Sequence, residues 1–346
     1  MKKFMLVVAS ILGLLLIWLI LVMLPLSGAL QKLKPLLAGS CTRIDIFPGT
    51  EDVAIDRTTN TVFVSATNRR GSDNEKTGGI FAFNLDNPNV VTRISPLQMT
   101  DFQPHGISLW HGEDGETRLF AINHLLSGKD VVEIFTVGGD GMLTHLDRIA
   151  FAQMFSPNDL HAVGPKQFYA TNDKGHKDGI LYILEQYFAL PLASAVYYDG
   201  TKGEYIKKGL VYSNGINASP DGKTIYISEF LKRRISVFDR DIESGALTKR
   251  SAIKLNTAPD NIDIDLNGDL WVGGHSKVFE FLAHAKDESN TAPSHIIKID
   301  HKTGKTEDVF ISTQGEINGS SVGAVHNNKL VIGAVFDGHV LVCPLP

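Results

Sequence analysis

The sequence predicts an all-β chain, a six-bladed β-propeller whose ring a bridge between two terminal cysteines would close. Six short β-rich runs recur at intervals of about 45–60 residues, each introduced by a polar turn and followed by a second alternating run. Composition agrees: 32 glycines and 14 prolines in 346 residues provide for many turns. A net charge of −5 with 21% charged residues describes a globular protein without the basic field that nucleic acid would require.

The N-terminus precedes the repeats. Lys2 and Lys3 lead into an uncharged, nearly unbroken apolar run from Phe4 to Leu26, 23 residues long. That is enough to span a bilayer core of roughly 30 Å, whereas a cleaved signal needs an apolar region of only about 7–15 residues. Residues 1–28 therefore read as a membrane anchor, with cleavage near Ser27-Gly28-Ala29 as the alternative. The two lysines hold the N-terminus in the cytoplasm, so the rest of the chain is exported. It is expected on the extracytoplasmic side (periplasmic or extracellular), anchored, or secreted if the segment is cleaved. Residues 29–40 read as a linker and 41–346 as the propeller domain.

The six runs are "TVFVSA" (61–66), "RLFAIN" (118–123), "QFYATN" (167–172), "TIYISE" (224–229), "DLWVGG" (269–274) and "KLVIGA" (329–334). The alternating runs that follow are "GIFAFNL", "VVEIFTV", "GILYIL", "RISVFDR", "KVFEFL" and "HVLVC", all read as strands. Helix is expected after residue 41 only around "QYFALPLASA". The two cysteines, Cys41 and Cys343, stand at the two ends of the exported part. They can pair in an oxidising compartment or stand as separate buried thiols. A bridge would lock the first strand to the last.

Nine to thirteen residues before each run, at the start of the preceding strand, lie Glu51-Asp52, His105-Gly106, Asn158-Asp159, Asn214-Gly215, Asp260-Asn261 and Ser320-Ser321. The first strand of a blade lines the central channel, so these positions converge at one end of it. Glu51, Asn158, Asn214, Asp260 and Asn261 are oxygen donors that mix carboxylates with neutral amides. Hard donors in that number suit Ca²⁺ rather than zinc or copper. Adjacent strand residues point opposite ways. Asp52 and Asp159 would thus reach a second cation deeper in the channel wall, which explains why two carboxylates are kept side by side. Taken singly, "NG" and "PDN" are ordinary turn sequences; their common phase in the repeat is what singles them out.

His105 holds the equivalent place in the second repeat. In its hairpin, residues whose numbers sum to about 229 should face each other, which pairs His105 with His124. Two imidazoles beside a calcium read as a general base and the group that tunes it. His161, His275 and His326 read as turn or core residues, although His275 ("VGGHS") ends a strand that could border the channel mouth.

These residues together resemble the serum paraoxonase/arylesterase family. The motifs are "GTEDVAID", "PHGIS", "INH", "SPNDLHAVGPKQFYATND", "NGINASPDGKTIYISE", "DNIDID…GDLWVGGH" and "KLVIGAVF" with a terminal Cys, covering residues 41–343. The resemblance implies a six-bladed propeller that hydrolyses lactones and aryl esters with two Ca²⁺ ions, one catalytic and one structural. It matches the catalytic ion to Glu51, Asn158, Asn214, Asp260 and Asn261, and the structural ion to Asp52, Asp159 and the backbone carbonyl of Ile107. It also implies His105 as base with His124 as partner, a Cys41–Cys343 disulfide and a retained apolar N-terminus. Two departures stand out. Lys174 follows "TND" where the family often has histidine, and the loop "NRRGSDNEKTGG" (68–79) is basic and lacks the family's aromatic residue. The expected partners are a small lactone or ester and, through the N-terminus, a membrane. A gluconolactonase-type sugar lactonase is the rival enzyme; such enzymes typically use one metal and lack the paired histidines. A non-catalytic, calcium-stabilised binding propeller is the rival of another class.

Overall fold

The computed structural model describes residues 2–36, 41–71 and 77–345. Residues 37–40 of the linker and 72–76 of the loop at 68–79 lie outside the described residues.

Six four-stranded antiparallel sheets form the blades of a propeller, as the repeats predicted. The innermost strands are Thr50–Asp56, Pro104–His111, Pro157–Ala162, Ser213–Ala218, Ala258–Ile264 and Ser320–His326. The six repeated runs are the second strands. In the sixth blade the outermost strand is Thr42–Asp45, which comes from the start of the propeller and pairs with His339–Pro344. Thr42 faces Val342, so Cys41 falls opposite Cys343, and the two form the disulfide with Cα atoms 4.1 Å apart. The ring is thus closed twice, by a strand ladder and by a covalent bond.

Among the described residues the apolar core forms seven clusters, six of them between neighbouring blades and a small seventh around Phe230, Ala258 and Val278. Val53, Val64 and Phe83 of the first blade, for example, meet Val322, Val331 and Val342 of the sixth. Phe120, Ile134 and Phe168 fill the space between the second and third. This follows from the period-2 pattern of the middle strands, which are buried on both faces by adjacent blades. Outer strands, such as Leu247–Lys254, face water along most of their length.

Two of the expected strands are helices. "GILYIL" opens a helix over Gly179–Phe188, and "KVFEFL" belongs to a helix over Val278–Lys286. A short alternating apolar run is also compatible with a helix face, and periodicity alone does not separate the two. The third strands of these blades lie further on, at Ala193–Tyr198 and Ser294–Ile299. The expected helix near "QYFALPLASA" therefore lies largely upstream, and the end of that stretch is strand.

The N-terminal segment is helical from Lys2 to Ser27, 26 residues, apolar and long enough to cross a membrane. It widens to a π turn over Leu19–Met23 just before Pro25, and ends at Gly28 in the left-handed region (φ 68°). The following segment is not a free tether. The amide and carbonyl of Leu36 both bond to Ile311, at 2.9 and 2.7 Å.

Candidate active site

Each of the six innermost strands carries a register shift near its beginning, between Thr50 and Asp52, Pro104 and Ile107, Pro157 and Leu160, Ser213 and Ile216, Pro259 and Ile262, and Ser320 and Val322. A bulge re-aims a side chain and releases it from the ladder. The positions singled out in the sequence fall on these bulges, which is why they can turn into the channel.

At one end of the channel, Glu51, His105, Asn158, Asn214 and Asp260 line a single cavity of about 360 Å³. Asn261 reaches it through its amide, which donates to Glu51 Oε1 at 3.0 Å. The Asn214 amide likewise donates to Asp260 Oδ1 at 2.9 Å. These two bonds fix which way the amides face, because a carboxylate only accepts. Among the described residues they leave Asn214 Oδ1 and Asn261 Oδ1 without partners, and Asn158 Oδ1 and Glu51 Oε2 have none either. Four buried oxygens without a donor would each cost about 1–3 kcal/mol. A hard cation satisfies all four at once, and the donor set is oxygen only, so these residues fit Ca²⁺.

Burial pushes the Glu51 carboxyl up, but its neighbour His105, the charge of Arg69 and the Asn261 amide outweigh it and hold it below its usual range. Arg69 Nη2 stands 3.9 Å from Glu51 Oε2. Burial raises Asp260 in spite of His275, whose Nε2 lies 2.9 Å from Asp260 Oδ2.

Asp52 and Asp159 point away from this cavity into a second one, of about 480 Å³, that also contains Ile107. Asp52 accepts from the N–H groups of Val53 (2.9 Å) and Ile107 (2.7 Å). Asp159 accepts from Leu160 (2.7 Å) and Ile216 (2.8 Å). Each carboxylate thus ties its own blade to the next. Both are pushed well above the usual range, first by burial and then by neighbouring carboxylates, Glu51 for Asp52 and Asp52 for Asp159. A buried cluster of like charges with raised pKa values is what a second cation would relieve. Ile107 sits beside this cluster, its amide committed to Asp52.

The histidines meet through the bulge. Along most of the hairpin the register sum is 228 (Ile107 faces Ala121), and it drops to 227 where Pro104 faces Asn123. The two rings, offset from that register, still approach to 2.9 Å between His105 Nδ1 and His124 Nε2. His124 faces Asp130 across the next strand pair, and its Nδ1 lies 2.7 Å from Asp130 Oδ1. Lys177 Nζ contacts the other oxygen at 2.7 Å. Burial would raise Asp130, yet the His124 hydrogen bond and Lys177 hold it below its usual value; burial lowers His124 against the pull of Asp130. Asp130 accepts, so His124 Nδ1 donates and His124 Nε2 accepts from His105 Nδ1–H. The lone pair of His105 is thereby left on Nε2, which faces Glu51 Oε1 at 3.6 Å. Asn123 steadies this strand end: its side chain accepts from the Gln103 N–H and donates to buried Glu133, both at 2.9 Å.

Two residues at the site escaped the sequence reading, Asp130 and Arg69. Asp130 could have been found by applying the facing-residue sum to the second hairpin as well as the first. Arg69 carried no such signal. His275, read as a turn or core residue whose strand could border the channel mouth, is buried and bound to Asp260 at the cavity wall. Lys174 Nζ lies over the rings of Tyr182 (5.2 Å) and Tyr212 (5.7 Å), and Tyr212 lines the cavity. The helix end at Met23, Leu26 and Ser27 lines it too.

A family profile described as Arylesterase matches residues 47–345. Human serum paraoxonase/arylesterase 1 is 31% identical over 340 residues, covering 92% of each chain. Human serum paraoxonase/arylesterase 2 is 34% identical over 280 residues, 78% of each. Among solved structures, a gluconolactonase from Xanthomonas campestris superposes with a TM-score of 0.59 at 19% identity, covering 91% of this chain and 96% of that one. A luciferin-regenerating enzyme gives 0.56 at 16% identity, covering 88% and 96%. At such identities the structural matches speak for the fold alone.

Proposed function

The chain belongs to the arylesterase family, and on that premise we propose that it is a calcium-dependent hydrolase of lactones and aryl esters. The observation that carries this reading is the set of four donorless buried oxygens on Glu51, Asn158, Asn214 and Asn261, next to an imidazole with a free nitrogen. Glu51, Asn158, Asn214, Asp260 and Asn261 would hold the catalytic ion; Asp52, Asp159 and the Ile107 carbonyl would hold the structural one. Bound calcium supplies positive charge for the oxygen that becomes negative as a carbonyl is attacked.

The remaining work falls to the chain. His105 Nε2 takes a proton from water as that water adds to the carbonyl carbon, and when the ester C–O bond then breaks the leaving oxygen takes the proton back from Nε2. The imidazolium so formed keeps its Nδ1–H on His124 Nε2, and His124 keeps its own Nδ1–H on Asp130. The negative charge of Asp130 thus supports the positive charge at one remove. The apolar wall of the cavity, including Phe230, Leu231 and Leu282, excludes water and holds the body of the substrate.

We place the propeller, residues 41–346, outside the cytoplasm, tethered by residues 1–28 through the linker 29–40. The lysines at the start of the apolar helix and the disulfide support that orientation. Hydrolysis of a lactone panel and of phenyl acetate, with Ca²⁺ and with chelator, tests the reading. Turnover that chelator abolishes and Ca²⁺ restores is expected. No turnover, or turnover indifferent to chelator, would overturn it.

A further inference from the structure

We infer that the last turn of the N-terminal helix is a wall of the reaction cavity, and that Leu26, with Met23, limits the apolar chain a substrate can carry. This rests on the hydrolase reading above and adds to it a specificity determinant outside the propeller.

The cavity is polar at its floor, where Glu51, Asn158, Asn214, Asp260 and His105 stand, and apolar higher up. Leu231, Phe279, Leu282, Met23 and Leu26 contribute to that upper part. An ester carbonyl held at the floor sends its alkyl portion toward the helix end. Leu26 is half-buried there, although the helix before it exposes its side chains.

The helix end is held in place by specific contacts. Gly28 packs so closely on the propeller that a Cβ there would lie 1.8 Å from the Ser276 carbonyl oxygen, and its φ of +68° excludes most side chains in any case. Ser27 is buried. Arg233 ends the 3₁₀ turn Phe230–Lys232 in the left-handed region (φ 49°). Its guanidinium donates to the Leu26 carbonyl at 3.0 Å and to the Asn256 carbonyl. Gln31 Nε2 donates to the same Asn256 carbonyl at 2.7 Å. Arg233 is buried, and no carboxylate among the described residues pairs with it; burial pushes its pKa down to about 10. A buried cation spent on backbone carbonyls is costly, and its return is the fixed position of Leu26. Trp18, two turns earlier, packs on Phe188 of the helix Gly179–Phe188 at 4.6 Å between ring centroids.

The test uses the full chain in one detergent, with Leu26→Ala, Leu26→Trp and Gly28→Val. The readout is kcat/KM for a δ-lactone with a long alkyl tail divided by that for the unsubstituted δ-lactone. Leu26→Trp fills the path of the tail and should lower the ratio by about tenfold or more. Leu26→Ala removes contact and should lower it by about three- to tenfold, through KM rather than kcat. Gly28→Val releases the helix end and should reproduce the Leu26→Ala ratio. Thermal melting in the same detergent separates misfolding from these effects. Ratios unchanged in all three variants, or losses parallel for both lactones, would overturn the inference. If the wild-type protein hydrolyses neither lactone, the hydrolase reading fails instead. The wall is then read by binding of a fluorescent decanoyl amide, which Leu26→Trp must weaken if the inference is right and leaves unchanged if it is wrong.

Discussion

His124 Nε2 lies 2.9 Å from His105 Nδ1, and this one contact decides which nitrogen of His105 is free to act. With Nδ1 bound as a donor, the basic lone pair is on Nε2, inside the cavity. His105→Gln should therefore lose about 10²–10⁴-fold in kcat, the usual span for a general base, with the fold and calcium binding intact. His124→Gln should lose less, because it acts through His105. Lactonase assays with calcium calorimetry on each variant check this; full activity in the His105 variant would remove it from the mechanism.

Asp130 offers a test by pH. A carboxylate near an imidazolium raises the apparent pKa of the histidine pair, so Asp130→Asn should lower it. The acid limb of kcat/KM against pH should move to lower pH while the plateau falls, since a weaker base is already free of its proton at lower pH but accepts one less well. Its own carboxyl, held low by His124 and Lys177, adds stability that is full above its unfolded pKa of about 3.9 and fades as pH falls through the lower folded value. Melting of the Asn variant should lack that dependence. An acid limb that stays in place would show that Asp130 does not act on the base.

The two carboxylate groups should fail differently. Asp260→Ala takes a charge from the cavity that contains His105, so activity should collapse with a modest loss of stability. Asp52→Ala or Asp159→Ala removes a bridge between blades and the deeper cation it would hold. A bound ion contributes RT ln(1 + [L]/Kd), about 4 kcal/mol at a thousandfold excess over Kd. The Asp52 and Asp159 variants should therefore melt well below the wild type, whatever calcium is added. Calorimetric titration should resolve two sites in the wild type and one in each variant.

Removing the Cys41–Cys343 bond by Cys343→Ala should cost about 2–5 kcal/mol. Loss should begin at the seam: amide exchange should accelerate first at Val340 and Val342, which face Ile44 and Thr42 of the closing strand. Uniform acceleration around the ring would show that the seam is not its weak point.

The fold was legible because a propeller writes its period into the chain. Each blade repeats the same strand, turn and strand, so the polar pair before each run could be located by phase. The phase could not show how Glu51 and Asp52 separate. Strand alternation anticipated their divergence, but the structure adds a bulge in every inner strand, a backbone feature without a residue signature. The two helices were misread because Gly179–Leu184 and Lys277–Leu282 are short apolar runs that suit a strand as well as a helix, and only the residues beyond them complete a helix. Asp130 and Arg69 were missed for another reason: they come from outside the repeated motif. The helix end at Leu26 was read by composition alone, which assigns an apolar run to lipid and is silent about what its last turn touches.

The placement of the apolar clusters between blades has a mechanical consequence. The blades are wedges, and the bore at their centre is set by the angles at which the wedges meet, as the opening of a stone arch is set by the faces of its blocks. The spacing of the oxygens of Glu51, Asn158, Asn214 and Asp260 is set from outside the hub as well, by faces such as the one where Phe120 meets Phe168 at 6.1 Å between ring centroids. Thinning one wedge there would change the aperture of the whole hub, so residues that touch neither ion nor substrate share in setting the ligand geometry.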